Sequence, residues 1–172
     1  MKKLFVTACM ALALLMVSNF AFAQDDEAYP LPELSLKDIN NEVVEVASHY
    51  GGNGKITVMS FWATWCGPCK KELNNIADLY EDWQEDFDVE VIAVSVDDQQ
   101  SAPKVKAYVN GQDWEYDVLL DVNQDFQRLL NFQSVPYTIV IDQEGDVIYE
   151  HAGYSEGDEY ELEEVLEILA GE

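Results

Sequence analysis

Positive charge is scarce in this sequence of 172 residues, which has nine Lys and Arg against 34 Asp and Glu and a formal net charge of −25 at pH 7. A surface with this balance repels nucleic acids and anionic lipids, so we expect neither as a partner. Solubility or adaptation to salt is the simplest explanation of the acid excess, and it requires no specific function.

Apolar runs long enough for a comfortable bilayer span are also missing. The chain does begin with two lysines at 2–3, an apolar run over 4–17 and a small-x-small triplet at 21–23. This order is typical of a secretory signal peptide. We therefore predict a signal peptide at residues 1–23, with cleavage after Ala23.

The mature chain would start at Gln24, in the periplasm and without a membrane span. The alternative is a lipoprotein anchored through Cys9, and it is disfavoured because too little apolar sequence precedes that cysteine. Removing 23 of the 172 residues leaves 149, enough for one domain with a core. We predict a short extension at 24–33, a single domain at 34–172 and a monomer.

Metal-ligating side chains are few. Of three cysteines, Cys9 leaves with the signal peptide, so Cys66 and Cys69 remain, together with only two histidines, His49 and His151. Structural zinc normally takes four ligands, and neither histidine is near the cysteines in sequence. A disulfide between Cys66 and Cys69 would close too small a loop to be a useful structural staple. We therefore predict no metal or other cofactor.

Apolar strand-like runs alternate with amphipathic stretches along the chain, which indicates an α/β domain with a central mixed β-sheet covered by helices. The predicted elements, in order, are a hairpin over 34–46, a strand over 55–63, a helix from 66–68 onward, a strand over 89–97, a helix over 102–109, a strand over 117–120, a helix over 125–130, a hairpin over 137–154 and a helix over 155–170.

The segment WATWCGPCKKE, residues 62–72, places two thiols three residues apart at the predicted start of a helix. Free N–H groups and the helix dipole stabilise a thiolate at this position, which favours Cys66 as a nucleophile. Lys70 and Lys71 lie within about one turn of it. They either tune the thiol or are solvated surface lysines.

The stretch FWATWCGPCK resembles the active site of thioredoxins, and SVPYTIVIDQEGDVI, about seventy residues later, resembles their strand that carries a cis-proline. The resemblance implies a thioredoxin fold with a cis Val135–Pro136 bond. It also implies that Pro136 packs against the disulfide and that the backbone beside it pairs with an extended substrate. Trp65 would cover the disulfide and offer a docking surface, whereas Trp62 would belong to the core.

The sequence is more specifically similar to the exported TlpA-like and ResA-like branch. That branch has a leading N-terminal β-hairpin and an inserted helix and strand before the cis-proline strand, which residues 101–120 match. The buried aspartate of cytoplasmic thioredoxins is replaced by Ser60, and Glu72 matches the branch's carboxylate three residues after the second cysteine. Because residues i and i+3 share a helix face, Glu72 could accept the proton of Cys69. The alternative is an ordinary surface glutamate.

These features predict an exported thiol-disulfide oxidoreductase in which Cys66 attacks a substrate disulfide and Cys69 resolves the mixed disulfide. The Gly67-Pro68 pair resembles that of reducing thioredoxins, so we favour reduction. Substrates would be disulfide-bearing exported proteins: an apocytochrome c awaiting haem, another exported oxidoreductase, or a general pool of misoxidised proteins. The resemblance implies a membrane thiol reductase as electron donor.

Two other functions remain open. A thiol peroxidase of the peroxiredoxin type is disfavoured because Cys66 lacks the upstream proline and the spaced threonine of such sites. A non-catalytic copper(I)-delivery protein would need a third ligand, for which His49, His151 or Met59 could serve. Both histidines are more simply explained as structural residues, and Asp97 and Asp98 as a solvated strand end.

Overall fold

The computed structural model describes residues 28–171, so the predicted signal peptide, its cleavage after Ala23 and Cys9 lie outside the described residues. Within this range, eight strands form one mixed sheet and five helices flank it. The α/β architecture and the thioredoxin-like fold predicted from the sequence are confirmed. None of the helices in this part of the chain is long and apolar enough to cross a bilayer.

The strands are β1 (Tyr29–Pro30), β2 (Ser35–Asp38), β3 (Val43–Glu45), β4 (Ile56–Trp62), β5 (Val89–Ser95), β6 (Asp117–Leu120), β7 (Tyr137–Ile141) and β8 (Asp146–Ala152). The helices are α1 (Val46–Tyr50), α2 (Gly67–Phe87), α3 (Ala102–Val109), α4 (Asp125–Leu130) and α5 (Asp158–Ala170). The strand order is β1-β8-β7-β4-β5-β6-β2-β3.

Strand β4 lies in the middle of the sheet, parallel to β5 and antiparallel to β7. All seven of its residues are buried, as its apolar run predicts. Its two hydroxyl residues, Thr57 and Ser60, are both hydrogen-bonded: Thr57 donates to the backbone oxygen of Tyr50, and Ser60 to Glu72. Both hydroxyls of this central strand are therefore satisfied, whereas the buried indole N–H of Trp62, at the end of the strand, has no hydrogen-bond partner.

Helix α2 follows β4 and begins immediately after Cys66, with proline in its first turn, where a missing N–H costs nothing. Its buried face includes Leu73, Ile76 and Trp83, at the spacing of an amphipathic helix. The indole of Trp83 donates a hydrogen bond to Glu163 of α5 at 3.1 Å, so α2 and α5 pack side by side.

The elements expected of the exported branch are present. Strands β2 and β3 form an antiparallel hairpin, and α3 and β6 lie between β5 and β7 in sequence, with β6 joining the sheet between β5 and β2. The sheet also includes part of the predicted extension 24–33, because Tyr29–Pro30 pairs with β8 and Leu31 is buried. A strand of two residues leaves no periodic pattern that the sequence could reveal.

Candidate active site

Cys66 and Cys69 form a disulfide with their Cα atoms 5.4 Å apart. Cys66 retains 5% of its surface accessible to solvent, whereas Cys69 is completely buried. Trp65, just before them, is 69% exposed. An incoming disulfide can therefore approach Cys66 more readily than Cys69, next to an exposed indole.

The first turn of α2 is arranged around the sulfur of Cys66. Cys66 is the N-cap residue, and its sulfur accepts a hydrogen bond from the backbone N–H of Cys69 at 3.2 Å. The helix start therefore presents a donor and the positive end of its dipole to this sulfur. When the disulfide is reduced, both would stabilise a thiolate on Cys66.

The loop between β4 and the cysteines is held by Asp97, which is 1% exposed. Its carboxylate accepts hydrogen bonds from the backbone N–H and the hydroxyl of Thr64, both at 2.7 Å, and from Ser95 at 2.9 Å. The interpretation of Asp97 as a solvated strand end is therefore wrong, because the loop folds over it. Asp98 is exposed and accepts hydrogen bonds from the N–H groups of residues 100 and 101.

Glu72 lies on α2 one turn beyond Cys69 and is only 5% exposed, so it is not a surface glutamate. Its carboxyl accepts hydrogen bonds from Thr138 of β7 at 2.6 Å and from Ser60 of β4 at 3.4 Å. Burial raises the pKa of Glu72 from 4.5 to about 7, although these two hydrogen bonds act in the opposite direction. Near neutral pH this carboxyl can both take up and release a proton.

The bond from Ser60 explains how the site keeps a buried carboxyl without an aspartate in β4. Ser60 occupies the strand position at which cytoplasmic thioredoxins have their buried aspartate. Here the carboxyl comes instead from the helix, and the short Ser60 side chain leaves room for Glu72 to reach the strand. The arrangement places a buried carboxyl one helical turn after the second cysteine.

Pro136 is buried, and the Val135–Pro136 peptide bond is cis, as the resemblance implies. It comes directly before β7, whose first residue, Tyr137, pairs with Phe61 of β4. Pro136 therefore lies at the end of the sheet where β4 leads into the cysteine loop. Val135 is half-buried beside it. Contact of Pro136 with the disulfide, and a substrate-binding role of Val135 and Trp65, stay predictions.

The two lysines after Cys69 have different environments. Lys70 donates a hydrogen bond to the carbonyl of Thr64 at 3.2 Å and lies over the ring of Tyr108, 5.5 Å from its centroid. Lys71 is exposed and forms an ion pair with Glu156 at 2.5 Å. Lys70 thus helps to hold the cysteine loop, whereas Lys71 connects α2 to the chain just before α5.

The histidines stand apart from the cysteines in their contacts. His49 is exposed on α1, and His151 of β8 lies 3.3 Å from the carboxylate of Asp158. Among residues 28–171, no group of three or more His, Cys, Asp and Glu side chains is arranged to hold a metal ion.

A family model described as AhpC/TSA matches residues 28–150, most of the described chain. The chain belongs to the AhpC/TSA family. Thiol-disulfide oxidoreductase ResA from Oceanobacillus iheyensis is 32% identical to this chain. The match covers 67% of this chain and 59% of the length of that ResA. The protein of the same name from Bacillus thuringiensis subsp. konkukian is 31% identical over 78% of this chain and 73% of its own length.

Solved structures agree with the fold. A solution structure of an uncharacterized thioredoxin-like protein from Porphyromonas gingivalis is 42% identical, with a TM-score of 0.73, and the match covers 82% of this chain and 92% of that one. The thioredoxin-like fold, the disulfide at the start of α2 and the curated relatives make this AhpC/TSA family member a thiol-disulfide oxidoreductase.

Sequence reasoning missed two residues that shape this site. Thr138 belongs to an apolar strand, and only the pairing of β7 with β4 brings it to Glu72, 66 positions away. For Asp97 the sequence predicts a solvated strand end, so its buried role in the cysteine loop does not follow from the local pattern. Its position directly after a buried strand, at the sheet end that carries the cysteines, was the available indication of its role.

Proposed function

We propose that this chain is an exported oxidoreductase that reduces disulfides in exported proteins. The observation that carries the proposal is the asymmetry of the cysteine pair. Cys66 keeps a small exposed surface at the positive end of a helix, whereas Cys69 is completely buried, one turn before a buried carboxyl that would hold its proton. Such a pair suits one attacking and one resolving thiol.

In the proposed reaction the Cys66 thiolate attacks one sulfur of a substrate disulfide and expels the other as a thiolate, which takes up a proton. Cys69 then transfers its proton towards Glu72 and attacks Cys66. The mixed disulfide breaks, the Cys66–Cys69 disulfide forms, and the second substrate sulfur leaves as a thiolate that is protonated in turn. Two electrons pass to the substrate.

Regeneration requires an external dithiol, for which we propose a membrane thiol reductase. The candidate substrates are an apocytochrome c before haem attachment, another exported oxidoreductase or misoxidised exported proteins in general. The Gly67-Pro68 pair supports reduction over oxidation, and Trp65 and Val135, which flank the site, would contact the substrate. The chain would act as a monomer.

Activity is tested with the mature chain by reduction of insulin with dithiothreitol as the electron source. We expect turnover that is lost in Cys66→Ser. Absence of turnover by the unaltered protein would argue against the proposal, and turnover of hydrogen peroxide in preference to disulfides would favour a peroxidase.

Export is tested separately, by mass spectrometry of the protein from its native host. The expected chain begins at Gln24. An intact N-terminus, or lipid on Cys9, would show that the proposed processing is wrong.

A further inference from the structure

A small cavity lies behind Glu72, on the side formed by β8 and α5. Its lining includes Glu72, Thr138, His151 and Asp158. The space is partly open to solvent and leaves about 10 Å³ for the centre of a water molecule, which is roughly the room that one water needs. Glu72 therefore borders this space as well as its two hydrogen-bond donors.

His151 is joined to Glu72 through the strand pairing. Thr138, which donates to the Glu72 carboxyl, is the direct partner of His151 across β7 and β8. Directly opposed residues on antiparallel strands have their side chains on the same face and close together. The imidazole is therefore placed on the cavity side of the sheet. Thr138 lies between it and the Glu72 carboxyl.

The other side of His151 reaches solvent. About a third of its side chain is exposed, and its Nε2 lies 3.3 Å from the Asp158 carboxylate, which is itself 24% exposed. Imidazole exchanges protons readily near neutral pH. His151 thus lines the cavity on one side and reaches water on the other, and its imidazole can carry a proton between them.

In the proposed reaction Glu72 takes up the proton of Cys69, and this carboxyl is only 5% exposed to water. We propose that His151, oriented by Asp158, passes the proton of Glu72 through the cavity to solvent. His151 is then a positioning residue, which affects the resolving step through Glu72. This inference rests on the proposed function. A protonated Glu72 gives its proton through one water to His151, and the resulting imidazolium, paired with Asp158, releases it to bulk water.

Other ionisable groups face the same space and set the charge there. They are Tyr149 of β8, Tyr154 of the next loop and Glu159 of α5. Burial acts to raise the pKa of Glu159, but hydrogen bonds from Tyr154, Asn75 and the N–H of Gly157 lower it overall, so Glu159 remains an anion. Asp158 and Glu159 both oppose ionisation of Glu72.

The first test follows the carboxyl carbon of Glu72 by NMR in the oxidised protein as a function of pH. His151→Gln should change the pKa of Glu72, because the imidazole that lines the same cavity beside Asp158 is replaced. Asp158→Asn should lower it, because an opposing charge is removed. His49→Gln is the matched control, since it makes the same change at an exposed site on α1, and it should shift nothing.

The second test follows resolution of a mixed disulfide between Cys66 and thionitrobenzoate, from about pH 5 to pH 9. His151→Gln should slow release of thionitrobenzoate about tenfold, and added imidazole should restore part of the rate in His151→Ala. The proposal is overturned if His151→Gln and His49→Gln match in both tests. If the unaltered protein does not resolve the mixed disulfide, the proposed function fails, and the carboxyl titration still decides the role of His151.

Discussion

The hydroxyl of Thr138 donates a hydrogen bond to Glu72 at 2.6 Å, which joins the strand after Pro136 to the helix that carries Cys69. This bond favours the carboxylate form of Glu72, whereas burial favours the neutral form. The proton affinity of the group behind the resolving thiol therefore depends on a residue of another strand.

Replacing Thr138 with valine should raise the pKa of Glu72 further, because a donor to the carboxylate is lost. The measurement is the NMR titration of the Glu72 carboxyl carbon. Thr57→Val is the matched control, since Thr57 is also a buried threonine but lies on β4, where its hydroxyl is within hydrogen-bond distance of the Tyr50 backbone oxygen and of the Glu90 carboxylate. Equal titration of Glu72 in both variants would mean that the Thr138 bond has no influence.

Replacing Glu72 with glutamine should leave the first attack by Cys66 largely intact, since glutamine has the same shape and favours helix. Resolution by Cys69 should slow by about tenfold to a thousandfold, the usual contribution of a general base. Stopped-flow fluorescence across pH reports both steps. An unchanged resolution rate would contradict the role of Glu72 as proton acceptor.

The same substitution should change how stability depends on pH. The pKa of Glu72 is raised in the folded protein from 4.5 to about 7, so the folded state binds this proton more tightly than the unfolded state. Its effect on stability is absent below about pH 4.5, grows more destabilising between pH 4.5 and 7, and is complete above about pH 7, at roughly 3 kcal/mol. The free energy of unfolding of the native protein should therefore fall relative to Glu72→Gln over this interval, as measured by urea denaturation.

The two cysteines should behave differently as traps. Cys69→Ser leaves the accessible Cys66 able to attack but removes the resolving thiol, so mixed disulfides with substrates should accumulate. Cys66→Ser leaves only the buried thiol and should accumulate few. Non-reducing gels of extracts from the native host distinguish them, and equal trapping by both variants would contradict the assignment of roles.

Loss of the Asp97 carboxylate should loosen the cysteine loop. Asp97→Ala leaves the N–H and hydroxyl of Thr64 without their acceptor and should lower the free energy of unfolding by about 1–3 kcal/mol. It should also change the equilibrium of the disulfide with glutathione, because the loop positions Cys66. Asp98→Asn, at the exposed neighbouring position, should stay within about 0.5 kcal/mol. A similar loss in both variants would exclude a specific role of Asp97.

The sequence predicted the elements that have strong local patterns. The central strands and α2 followed from apolar runs and helical spacing, and the cysteine pair with the later proline indicated the fold. Helix α1, with five residues directly after the hairpin, is too short for such a pattern and was not predicted. Two-residue β1 was missed for the same reason.

The environment of Glu72 depends on tertiary register rather than on local pattern. The i to i+3 spacing placed it beside Cys69, but its burial required α2 to lie against β4 and β7. His151 acquires its position only because β8 pairs in one register with β7, since a shift by one residue would turn its side chain to the other face. The pattern of one segment alone therefore cannot predict the burial of Glu72 or the position of His151.

The sheet ends on both sides in very short strands, β1 with two residues and β3 with three. Exposed strand edges are templates on which partly unfolded chains assemble into aggregates, and short edges offer little such template. Short edges, together with the mutual repulsion of a chain of net charge −25, therefore oppose the pairing of this protein's sheet with the sheet of another copy.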